Sequence, residues 1–173
     1  MKRLLKQTWR QILFIAFVAV WMLVIFSFTS QSGYESNSVS IKIATYIQAH
    51  IPDGLSNALV SLTQTFFPEQ NSSDPVKNIN YLFRKMCHMS EYAFLAILLM
   101  FCFPRINKKT ILITLLICLI YAIIDESHQL LVEGRTGKVK DIIVDEIGAI
   151  VGVALYLVFI HHFRKHHLKK YDH

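Results

Sequence analysis

Four long apolar runs divide the chain: Ile12 to Phe28, Met89 to Phe103, Ile111 to Ile124 and Ile142 to Ile160. Each reaches or approaches the about 20 helical residues that cross a hydrocarbon core. The pattern predicts four transmembrane helices, over about 12–28, 87–103, 110–127 and 141–160. Between the first two runs the pattern changes. Ile41, Ile43, Ala44, Ile47 and Ile51 recur at mostly helical intervals from Val39 to His50, and Leu55, Leu59, Leu62 and Phe66 continue the rhythm after Pro52 and Gly54. Two short amphipathic helices are expected there, lying on the headgroups or capping the bundle. Pro68 to Pro75 lacks periodic apolar residues and reads as a loop, after which a helix capped near Asn78 or Asn80 leads into the second span.

The expected fold class is therefore an all-α membrane protein, one domain over residues 1–173. Composition agrees, with 53% apolar residues and a mean hydropathy of +0.39, high for a water-soluble domain. The 18 Lys and Arg against 12 Asp and Glu form no stripe along a soluble element, so nucleic acid is not an expected partner; the lipid bilayer is. The basic residues sort by loop instead. Arg3, Lys6, Arg10, Arg105, Lys108, Lys109, Arg164 and Lys165 flank helix ends on one side without acidic neighbours, whereas the other loops are near balance. By the positive-inside rule both termini are cytoplasmic and the first and third loops are outside. The N-terminus resembles a secretory signal, but its apolar run is long and carries Trp21 and Met22 near its end, which favours a retained anchor. Cys87, Cys102 and Cys118 have no metal-ligand spacing and read as small apolar residues.

The chemistry is concentrated in polar residues at the ends of the last three spans. On a helix, positions four and seven apart share a face, which puts Arg84, His88 and Glu91 on one stripe with Lys85 and Tyr92 beside it. Asp125, His128 and Gln129 form a second stripe next to Glu126, and Asp141 and Asp145 a third. Glu91 and Asp145 lie inside apolar runs, where a central carboxylate costs about 2.5 to 3.5 kcal/mol. Lys85 could simply snorkel to headgroups, Glu126 could be a solvated rim charge, and pairs such as Arg84 with Glu91 or Arg135 with Asp141 could be structural. With the three helix ends adjacent, all of these residues and Arg135 would share one outward-facing pocket.

Three chemistries suit such a pocket. His88, Asp125, Glu126 and His128 could hold a divalent metal, although no motif requires one and no cofactor is certain. Arg84, Lys85 and Arg135 could cradle a phosphate or carboxylate, with His88, Glu91, Asp125 or His128 as candidate catalytic groups. The pocket could also bind an anionic headgroup without any reaction.

The stretches Arg84-Lys-Met-Cys-His-Met-Ser-Glu-Tyr-Ala-Phe-Leu and Asp125 to Gly152, with Phe28-Thr-Ser-Gln-Ser-Gly and then Ser36 and Ser40, resemble the VanZ family of membrane proteins. Carried over position by position, the resemblance picks out Lys85, His88, Glu91, Tyr92, Asp125, Glu126, His128, Gln129, Arg135, Asp141, Asp145 and Gly148. Glu133 stands where a proline or small residue is expected and takes no role. The resemblance implies an association with low-level resistance to teicoplanin, a lipoglycopeptide acting on the cell wall. It implies no particular reaction. A lipid-linked headgroup or the lipoglycopeptide itself would then be the partner.

Overall fold

The computed structural model describes residues 2–70, 72–135 and 137–169, with side chains over 8–69, 72–135 and 137–162. Arg3, Lys6, Arg164 and Lys165, used above for orientation, have side chains outside that set, and Asn71 of the first loop lies outside the described residues. Among the described residues six α-helices follow in order: α1 (Lys2–Thr29), α2 (Gly33–His50), α3 (Asp53–Phe66), α4 (Pro75–Cys102), α5 (Lys108–Gln129) and α6 (Val139–Lys169), with a 3-10 turn at Pro68–Gln70. Among the described residues there is no strand. α1, α4, α5 and α6 each contain a stretch long and apolar enough to cross a bilayer. The exposed Ile12, Leu13, Phe17, Val20 and Leu23 of α1 fit a lipid-facing surface.

Local caps move two helix starts ahead of their expected places. α2 begins at Gly33 rather than Val39, because the Ser32 hydroxyl accepts from the Glu35 amide at 3.2 Å and Glu35 suits the positive end of the helix. α4 begins at Pro75 rather than near Asn78 or Asn80. Asp74 caps it through the Val76 amide at 3.0 Å, and proline fits the first helical position. Asn78 instead donates to the carbonyls of Ser72 and Asp74, at 2.7 and 3.1 Å. Asn80 donates to Asn37 at 2.8 Å, which ties α4 to α2.

α4 is the centre of the bundle and packs against each of the other five helices. Its buried Tyr92, Leu95, Ala96 and Met100 form the middle of the core with Ile25, Cys118, Ala122, Ala149 and Val153. Its closest partner is α6, and the glycines explain how closely the two approach. A Cβ on Gly148 would stand 2.8 Å from the Met89 Cα, and one on Gly152 2.8 Å from the Ala93 Cα. Two tryptophan and tyrosine bonds tie α1 into the bundle. Trp21 donates to the Glu91 carbonyl at 3.0 Å, and Tyr121 donates to the Met22 carbonyl at 2.5 Å.

Chain direction then decides where the polar groups meet. α1 and α5 finish, and α4 and α6 start, at the same end of the bundle, which also carries α2 and α3.

Candidate functional site

The hairpin between α5 and α6 folds back onto the end of α1. Gly134 adopts φ 72°, open to glycine at little cost. The Gly33 amide donates to the Glu133 carbonyl at 3.0 Å, an approach so close that a Cβ on Gly33 would overlap the Gly134 carbonyl. Beside this contact Arg135 crosses to the C-terminus of α1. Its Nε donates to the Gln31 carbonyl and its Nη2 to the Phe28 carbonyl, both at 2.9 Å. A cation is favoured at the negative end of a helix, and these bonds, rather than a bridge to Asp141, are what hold Arg135. Burial draws its guanidinium below the usual value, with repulsion from Arg84 next in importance.

Asp141 is paired with Lys85 instead, at 2.5 Å, with 9% of the lysine and 13% of the aspartate side chain exposed. Lys85 also stands over the Tyr81 ring at 5.0 Å. This bridge joins the first turns of α6 to α4, and a snorkelling Lys85 is not what the structure contains. Glu126 is likewise no solvated rim charge. Only 4% exposed, it accepts from Gln129 Nε2 and from the Lys138 amide, both at 2.9 Å. Asp125 accepts from the buried Thr29 hydroxyl at 2.7 Å and from Gln129 at 3.4 Å. Gln129 Oε1 in turn accepts from Arg135 Nη1 at 3.4 Å.

The stripe on α4 faces Asp145. His88 Nδ1 lies 3.7 Å from Glu91 Oε2 and 3.9 Å from Asp145 Oδ1, beyond direct hydrogen bonding. Among the described residues the two Asp145 oxygens and the Tyr92 hydroxyl have no hydrogen-bond partner, although both side chains are buried.

These groups enclose a cavity of about 180 Å³ lined by Tyr81, Arg84, Lys85, His88, Gln129, Gly134, Arg135, Lys138 and Asp141. Arg84, Lys85, His88, Gln129, Arg135 and Asp141, six of the residues singled out from sequence, line it. Glu91 lines the adjoining cavity, while Tyr92, Asp125, Glu126 and Asp145 lie behind as supports. His128 joins neither cavity; its ring packs on Phe26 at 4.4 Å between centroids. Among the described residues no three His, Cys, Asp or Glu side chains converge as a metal-binding group. Thr29, Tyr81 and Lys138 were not singled out. Thr29 sits in the Phe28 to Gly33 motif and could have been picked out by it; Tyr81 and Lys138 carry no comparable signal.

A multi-pass helical membrane protein with its charged and hydrogen-bonding residues gathered at one end of the bundle is the class this structure defines. The family model described as VanZ/LLP1 matches residues 14–160, and the chain belongs to that family. It is thus a VanZ-like membrane protein, linked at the level of the family to antibiotic resistance. No curated protein and no solved structure matches it.

Proposed function

We propose that this protein lowers sensitivity to teicoplanin-type lipoglycopeptide antibiotics, and that it does so by binding an anionic headgroup in the polar cavity at the outer face of the cell membrane. This orientation is supported by Arg105, Lys108 and Lys109 at the opposite end of the bundle, since the positive-inside rule favours such residues on the cytoplasmic side. One observation carries the headgroup reading. Arg84, Lys85, Arg135 and Lys138 line the cavity, with Asp141, paired to Lys85, as the one lining carboxylate, so a phosphate or carboxylate entering it meets cationic side chains and planar Arg donors. The outer face is also where a lipoglycopeptide and its membrane-linked cell-wall precursor meet.

The test is expression in a susceptible Gram-positive host, with inhibitory concentrations measured for teicoplanin and for a glycopeptide lacking the lipid. Protection should favour teicoplanin and be lost in Arg84→Gln at unchanged membrane level. Full protection by Arg84→Gln overturns the role of the cavity.

A second reading rests on His88, which lines both cavities and stands between two carboxylates. As a general base it would take a proton from water as the water oxygen bonds to phosphorus, and as the lipid P–O bond breaks the resulting imidazolium would return that proton to the departing alcohol oxygen. Purified protein incubated with polyprenyl phosphates and phospholipids separates the readings. Release of phosphate or headgroup, lost in His88→Ala, marks an enzyme, and binding without release marks a receptor.

A further inference from the structure

The polar cavity has a neighbour. A second cavity, of about 370 Å³, shares Arg84, His88 and Arg135 with it and continues between α1, α2 and α4. Its character is different. Phe28 of α1, Val39 and Ile43 of α2, and Phe83 and Cys87 of α4 supply an apolar wall, and its rim is open to the surroundings, with Phe28 49% and Val39 61% exposed. The hydrogen bond from Asn80 to Asn37 holds the α2 wall against α4.

We propose that the two cavities form one site for an anionic lipid, with its phosphate beside Arg84 and Arg135 and the first part of its hydrocarbon chain leaving past Phe28, Val39 and Ile43. This rests on the reading that the polar cavity takes an anionic headgroup, and adds the ligand's chemical class and its path of entry. Three features favour a lipid over a free anion. The cationic groups stand where the two spaces join, so a phosphate held there directs any attached chain into the apolar branch. The apolar branch is the larger of the two, whereas a free phosphate would use only the polar one. The mouth carries the exposed apolar Phe28 and Val39 beside the polar Gln31 and Ser36, and these apolar side chains would meet a chain arriving from the bilayer.

The experiment uses the full-length protein purified in a nonionic detergent, with hexadecyl phosphate and ethyl phosphate as probes and binding read by native mass spectrometry. Hexadecyl phosphate should bind at least tenfold more tightly, an advantage that two buried methylene groups supply. Arg84→Gln should weaken both probes. Ile43→Trp, or Val39→Trp on the same wall, should remove most of the chain's advantage and leave ethyl phosphate binding unchanged. Equal affinity for the two probes, with ethyl phosphate clearly bound, overturns this inference and leaves the headgroup reading standing. An advantage that survives both tryptophan variants also overturns it. Binding of neither probe defeats both readings.

Discussion

Lys85→Met removes the cation from a bridge that is nearly closed to solvent, since its partners are only 9% and 13% exposed at 2.5 Å. Breaking such a pair costs about 3–5 kcal/mol, because the remaining charge stays buried without a partner. The residual exposure and the polar cavity beside Asp141 place the expected loss at the lower end, about 3 kcal/mol. Asp141→Asn strands Lys85 less severely, because a lysine has a flexible stem with which to reach water. The double variant Lys85→Met with Asp141→Asn leaves neither charge unpaired and should recover most of the loss, so the cycle should show a coupling of about 2 kcal/mol, within the range of contacting pairs. The assay is SDS titration of the purified protein in mixed micelles, followed by near-ultraviolet circular dichroism. Simple addition of the two single losses would refute the argument that the bridge is a closed, mutually dependent unit. The same double variant should fail to protect against teicoplanin despite its stability, because Lys85 lines the proposed headgroup cavity.

Four further outcomes follow from the geometry. Thr29→Val removes the 2.7 Å bond to Asp125 and should lower stability by about 1.5–3 kcal/mol, as for bonds to charged groups, whereas Thr29→Ser should lie near wild type in the same titration. Gly152→Leu forces α6 away from Ala93, where even a Cβ would be 2.8 Å from the Cα; overpacking of about 1–3 kcal/mol or more should appear as reduced membrane accumulation. His88→Ala should abolish teicoplanin protection at normal membrane level while His128→Ala retains it, since His128 packs on Phe26 outside both cavities; equal loss in both would return His128 to the site. In a background without native cysteines, Ser72→Cys should react with an impermeant maleimide added to intact cells and Asn107→Cys should not; labelling at 107 would reverse the proposed orientation.

The spans were legible because a run such as Ile142 to Ile160 admits few alternatives once its length is known. Helix starts were less so, and the reason is local. Asp74 followed by Pro75 is a strong initiation signal, but Asn78 and Asn80, nearer the apolar run, looked equally able to cap and are instead used to bond a loop and α2. The polar residues were identifiable by type and spacing, yet their partners were not. Arg135 and Asp141 are near in sequence and opposite in charge, and the structure sends one to carbonyls of α1 and the other to Lys85. Helical spacing defines which residues share a face and says nothing of which neighbouring helix that face meets. The same gap hid the apolar cavity, whose walls come from α1, α2 and α4 together.

The central place of α4 also bears on how the protein is made. When α4 leaves the ribosome, Lys85, His88 and Glu91 have only α1, α2 and α3 beside them; Asp141 and Asp145 belong to a helix not yet synthesised. Until α6 is made, these charges lack the carboxylates they meet in the folded chain, and the lipid interior penalises them alone. A chain interrupted in the α5–α6 hairpin would therefore leave the start of α4 without its acidic partners, so the last helix supplies charge balance as well as core.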